Sequence, residues 1–251
     1  MSALAGKTAV VTGSSRGVGA STAKLLAEQG ANVVVNYRQK APRANKVVAE
    51  IEAAGGKAVA VGADLTDAEG VRTLMRTAVD TFGSLDLLVL NASGGMETSM
   101  GEDYALRLNR DAQSDALSAG LEHLSEGGRV VFVTSHQAHF IHEVETMPEY
   151  EAVARSKRAG EDALTARIPE LSEKGVSFVV VSGDMIEGTV TATLLNRAQP
   201  GALEARREAA GRLYSVDEFA AEVARMASAD VPTGHVELVG GAEDFLASAQ
   251  G

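Results

Sequence analysis

The run Thr12-Gly13-Ser14-Ser15-Arg16-Gly17-Val18-Gly19 has the residue types and spacing to hold a diphosphate. Gly13 permits a tight turn, Gly17 lets backbone approach the ligand, and Gly19 lets a helix pack closely on a strand. The turn, which also carries Ser15 and Val18, lies between an apolar strand pattern and a helical one. The first free N–H groups of that helix and its positive dipole end therefore face the phosphates. A second signal follows 23 residues after Gly13. Asn36 ends another apolar run and is followed by Tyr37 and Arg38. A carboxylate at that point would accept from a ribose 2′-hydroxyl and repel a 2′-phosphate. The amide repels neither, and Arg16 and Arg38 offer guanidinium forks that match phosphate geometry. The pattern predicts NADP(H) rather than NAD(H).

Protic side chains gather further along. Ser135-His136-Gln137-Ala138-His139-Phe140-Ile141-His142 contains three of the chain's five histidines, and Tyr150 and Ser156-Lys157 follow. Histidine titrates near neutral pH and can give up a proton. Spacings of three and three in an irregular loop do not define a metal site, and none is expected.

Strands and helices alternate around these residues. Apolar runs at Thr8–Thr12, Asn32–Tyr37, Ala58–Ala63, Leu85–Leu90, Arg129–Thr134, Val176–Val181 and His235–Val239 read as seven buried strands. Helical spacing fills the gaps: Gly17–Gln29, a helix through Val47, Val48, Ile51 and Ala54, and stretches from about Asp103 to Leu124 and Met147 to Arg167. Thr66-Asp67-Ala68-Glu69 and Ser215-Val216-Asp217-Glu218 read as capping boxes, and Thr146-Met147-Pro148-Glu149 as a third. Strands apolar throughout are covered on both faces, so the class is α/β: a single Rossmann-like, doubly wound parallel sheet spanning residues 1–251. The segment Asp184–Tyr214 has no strand pattern and is expected to cover the ligand crevice.

Composition excludes several classes. A net charge of -11 disfavours nucleic acid and anionic membranes. The absence of cysteine removes disulfides and thiolate chemistry and fits a cytoplasmic protein. No signal peptide and no membrane-spanning run is read.

Together these residues resemble the short-chain dehydrogenase/reductase family over nearly the whole chain. Asp64-Leu65 matches its adenine contact, and Asn91-Ala92-Ser93-Gly94 its Asn-Ala-Gly motif with Ser93 where glycine usually falls. Asn109 matches the asparagine that holds a proton-relay water, and Ser135 the serine that polarises the substrate carbonyl. In Ser156-Lys157 the lysine matches the residue that binds the nicotinamide ribose. Gly183 matches the glycine of a Pro-Gly motif whose proline is Ser182 here. Pro232-Thr233-Gly234 and Gly240-Gly241 resemble the C-terminal signature. The resemblance implies a small-molecule carbonyl or alcohol substrate and a homodimer or homotetramer. The alanines at 105, 112, 116 and 119 suit either a close subunit contact or packing on the chain's own sheet.

One departure concerns the chemistry. The family's proton donor is a tyrosine four residues before the lysine, where this chain has Val153. Tyr150 lies seven residues before it, on nearly the same helix face. At ~1.5 Å per residue it would stand about 10.5 Å along the axis from Lys157, about 4.5 Å too far for the family's geometry. The candidate donors are Tyr150, then His136 or His139, then Ser135 with a water held by Asn109. The expected activity is NADPH-dependent carbonyl reduction or the reverse. The alternative is an NADP(H)-binding sensor without turnover.

Overall fold

A computed structural model describes residues 3–96 and 103–248. Seven strands form one sheet: β1 (Thr8–Val11), β2 (Asn32–Tyr37), β3 (Lys57–Gly62), β4 (Leu85–Leu90), β5 (Leu124–Ser135), β6 (Ser177–Gly183) and β7 (His235–Val239). Their order is β3-β2-β1-β4-β5-β6-β7, and every pairing is parallel. Strand order reverses between β1 and β4, which opens a crevice at their carboxyl ends.

Alternate strand residues feed two cores. Val11, Val33, Val35, Val89, Val131 and Val181 pack under α1 (Gly17–Glu28), α2 (Ala41–Ala53) and α11 (Val216–Met226). Val10, Val34, Leu88, Leu90, Phe132 and Phe178 pack under α3 (Ala68–Phe82), α5 (Ala112–Leu121) and α8 (Ile168–Glu173). The strands are apolar on both sides because both sides are covered. Ala105, Ala112, Ala116 and Ala119 are all buried, and three of them belong to this second core, so the chain's own packing uses that spacing.

Several boundaries differ from the pattern. The helix read from Asp103 is α4 (Tyr104–Leu106), a π-helical turn (Arg107–Asp111) and then α5. β5 begins five residues before Arg129, because Leu124 pairs with Leu85 and the strand then passes through a register shift over Ser125-Glu126-Gly127-Gly128, which carries no apolar signal. α3 is capped by Asp67, which accepts from Gly70 N, while the Thr66 hydroxyl bonds Asp64 instead. The box at Ser215 forms with both reciprocal bonds. The box at Thr146 does not: its hydroxyl donates to Gln137, and α7 (Glu151–Thr165) starts at Tyr150 as N-cap. A short α6 (His136–His139) follows β5 directly. The segment after β6 folds into α9 (Val190–Ala198) and α10 (Ala202–Ala210), and α12 (Glu243–Ser248) ends the described chain. Among the described residues no helix is long and apolar enough to cross a membrane.

Candidate active site

The glycine turn sits at the end of β1 in the geometry its residues demand. Gly13 and Gly17 have φ of 62° and 57°, a region costly for other residues. A Cβ on Gly19 would lie 2.5 Å from Asn91 Nδ2 and 2.7 Å from Gly13 O. Asn36 braces the turn from below: its Oδ1 accepts from Gly13 N at 3.0 Å and its Nδ2 donates to Ala63 O at 3.1 Å. The side chain chosen for its neutral charge is therefore also a structural bracket, buried to 2% exposure. Thr12 ties β1 to the end of β4, its hydroxyl accepting from Asn91 N at 2.9 Å and Ala92 N at 3.0 Å.

These elements border a groove of about 580 Å³. Every cofactor-side residue read from the sequence lines it except Lys157 and Gly183: Gly13, Ser15, Arg16, Gly17, Val18, Gly19, Asn36, Tyr37, Arg38, Asp64, Leu65, Asn91, Ala92 and Ser93. Residues absent from that reading also line it, among them Lys40, Arg43 and Tyr104. Arg38 Nη1 donates to the Tyr104 hydroxyl, and the guanidinium stands 5.7 Å from the ring centroid. A contact across 66 residues leaves no local signal.

A smaller cavity of about 140 Å³ continues from the groove, sharing Val18, Asn91, Ser93, Thr189 and Thr191. Ser135, Tyr150, Lys157 and Gly183 line it together. Tyr150 Oη stands 3.5 Å from Ser135 Oγ. This closeness comes from a break in the helix. Tyr150 precedes α7 with φ -111° and ψ -9°, and its backbone N–H bonds Met147 O. Its side chain is thus aimed by a turn rather than by the helix axis, and its ring packs with Ala138, Val153 and Met185. Val153, four residues before Lys157, is buried and faces Gly95. Among the described residues Lys157 has no hydrogen-bonding or ionic partner, although it is only 8% exposed, and its side chain borders the cavity. Gly183 is required by packing, since a Cβ there would meet Phe219 at 2.5 Å.

Two candidates stand elsewhere. Asn109, in the π-helical turn, donates to Gly94 O at 2.8 Å and Ser156 Oγ at 2.9 Å and accepts from Gly94 N at 3.2 Å. Its amide is fully engaged as a clamp on the loop after β4. The turn approaches α7 so closely that a Cβ on Gly160 would collide with the Asn109 carbonyl. His136 points away from the cavity. Its Nδ1 pairs with Ser182 Oγ at 2.8 Å and its Nε2 with Gly241 O at 3.0 Å. Ser182 is thus the partner of a histidine from the segment that follows β5. His139 Nδ1 lies 2.6 Å from Glu161 Oε1 on α7, and His142 is exposed. Among the described residues no three His, Asp or Glu side chains converge as a metal site.

Burial pushes the His136 imidazole below its ordinary value of 6.5, only partly offset by the nearby Asp184 carboxylate and the Gly241 carbonyl. The unfolded chain then binds a proton at a higher pH than the folded one. Stability is full above about pH 6.5 and falls as pH drops toward the folded value, with a slope of up to about 1.4 kcal/mol per pH unit. Urea unfolding from pH 7.5 to 5.5 is expected to show a shallower loss in His136→Gln than in the parent. Parallel curves would remove His136 as the source.

The chain is similar to known proteins in sequence and fold. The family model for the short chain dehydrogenase matches residues 7–199. An uncharacterized oxidoreductase of Methylorubrum extorquens is 37% identical over 92% of this chain and 94% of its own length. A probable tetrahydroxynaphthalene reductase of Zymoseptoria tritici is 32% identical over 100% of this chain and 91% of its own. The crystal structure of a short chain dehydrogenase from Burkholderia cenocepacia in complex with NADP superposes with a TM-score of 0.79 at 30% identity, covering 94% of this chain and 96% of that one.

The chain belongs to the short-chain dehydrogenase family.

It is therefore an oxidoreductase of the NAD(P)(H)-dependent kind, and its residues fit a nicotinamide dinucleotide. The Gly19 contact leaves no room for a side chain under the glycine turn, and the groove shares five lining residues with the cavity bordered by Ser135, Tyr150 and Lys157. The segment of this dehydrogenase that follows β6 supplies Met185, Ile186, Thr189, Thr191, Ala192 and Leu195 to the cavity wall. Its lack of a strand pattern marked the segment but not which side chains turn inward.

Proposed function

We propose that this protein is an NADPH-dependent carbonyl reductase in which Tyr150 takes the place of the family's tyrosine. The observation that carries the reading is the approach of Tyr150 Oη to Ser135 Oγ, 3.5 Å, in the cavity that Lys157 also borders. A carbonyl oxygen placed between the two hydroxyls receives a hydrogen bond from Ser135 and the proton of Tyr150. The bound nicotinamide supplies the hydride. Lys157 holds the ribose hydroxyls, and Thr189 and Thr191 face the junction of groove and cavity. Asn109 acts indirectly, by fixing Gly94 and Ser156. Met185, Ile186 and Leu195 exclude water from the reacting atoms.

Arg16, Arg38, Lys40 and Arg43 around one end of the groove support NADPH over NADH. Small-molecule carbonyls are the substrate class, in keeping with the reductase activity ascribed to the Zymoseptoria relative.

Val153 favours a second reading, a cofactor-binding sensor without turnover. The two separate in one assay: NADPH oxidation with a panel of ketones and aldehydes, alongside calorimetry of NADPH binding. The expected result is binding with turnover of at least one carbonyl. Binding without any turnover would select the sensor.

A further inference from the structure

One polar side chain of the inner cavity has only half of its hydrogen-bonding capacity in use. Gln137, on α6, lines the cavity with Ser135, Tyr150 and Lys157. Its Oε1 accepts from Met147 N at 3.2 Å and from the Thr146 hydroxyl. A backbone N–H can only donate, so the atom facing it is the amide oxygen and the other is the NH2 group. Among the described residues that NH2 has no partner, nor is it sealed inside protein as a buried unsatisfied group. Both of its N–H donors are therefore unused, on a side chain that borders the cavity.

The remaining lining defines what those donors meet. Among the described residues Asp184 is the one carboxylate there, and it is spent: its oxygens accept from Arg206 Nε at 2.7 Å and 3.0 Å and from Met185 N at 2.7 Å. Met185, Ile186, Ala192 and Leu195 make an apolar wall. The described lining therefore offers hydrogen-bond donors and apolar surface, with no free carboxylate among the described residues to receive a donor or a cation.

We propose that Gln137 is a specificity-determining residue. Its amide donates to a second oxygen of the substrate, so the preferred substrates are compact apolar carbonyl compounds carrying a further acceptor oxygen. The inference rests on the reductase reading above and names its substrate class. A site built to donate disfavours an analogue lacking the acceptor, because its donor is then left unpaired away from water. Gln137 also holds the turn before Tyr150, so its two roles must be separated. Gln137→Glu keeps an acceptor for Met147 and Thr146 and removes the donors. Gln137→Leu removes both.

The readout is the ratio of kcat/KM for 1,2- or 1,3-cyclohexanedione to that for cyclohexanone, compared between variants so that intrinsic reactivity cancels. The expected result is a fall of about tenfold or more in that ratio for both variants, for whichever dione the parent prefers. A purely structural role predicts an unchanged ratio in Gln137→Glu and equal slowing of diones and monoketone in Gln137→Leu, and that result overturns the proposal while the reductase reading stands. A parent enzyme that turns over neither the diones nor the monoketone overturns both.

Discussion

Tyr150→Phe is expected to lower kcat by about 10²–10⁴ with NADPH affinity unchanged within about twofold. The substitution removes one oxygen and keeps the ring that packs on Ala138, Val153 and Met185, so the fold loses little. It takes away the group proposed to give up the proton as the alkoxide forms, a contribution made only in the transition state. The loss therefore falls on kcat and on kcat/KM alike rather than on KM. The donor and Ser135 face the same oxygen, so their effects are expected to be non-additive: Ser135→Ala on top of Tyr150→Phe costs less than it does alone. Stopped-flow NADPH oxidation with a saturating ketone separates this from slow product release. Full activity in Tyr150→Phe would return the proton to another group, and His136 would not be the first choice, since both its ring nitrogens are engaged away from the cavity.

This expectation also shows what the sequence could and could not disclose. The helix-axis arithmetic gave Tyr150 a shortfall because it assumed the helix continued through residue 150. The chain instead leaves the helix there, and the Met147–Tyr150 turn swings the side chain toward Ser135. Thr146 was legible as a cap by type and spacing, yet its hydroxyl bonds Gln137, a partner that exists only once α6 and α7 are side by side. The glycine turn was legible because all of its determinants lie within a few residues: a strand end, three glycines and a helix start. The alternation of apolar runs likewise specified the sheet, since each strand's burial is a property of its own sequence. The pairing of His136 with Ser182 and the approach of Gly160 to Asn109 join elements distant in the chain. Those depend on tertiary placement, and no local pattern carries them.

Tertiary placement also decides the second large effect. Arg38→Asp is expected to lower kcat/KM for NADPH by about 10²–10³ while leaving kcat/KM for NADH within a few fold, about the size of two charge-assisted hydrogen bonds lost and one repulsion gained. The chain carries a net charge of -11, so its average field repels a phosphate. The groove reverses that locally, with Arg16, Arg38, Lys40 and Arg43 on its wall and Asp64 as its one acid. The Asp64 Oδ1 is occupied by Thr66, accepting from its N at 3.0 Å and its hydroxyl at 2.8 Å. Arg38 differs from the other cations in being held: the Tyr104 hydroxyl accepts from its guanidinium, and the ring lies within cation–π range. A preset fork loses less entropy on gripping a phosphate than a free one does. A carboxylate in its place accepts from a ribose hydroxyl, which is why NADH is spared. The effect on NADPH should weaken as salt rises from 50 to 500 mM, because the groove is open to solvent and its charges are screened. An NADPH-to-NADH ratio unaltered by Arg38→Asp would mean that the phosphate is read by Arg16, Lys40 and Arg43 alone, or not read at all.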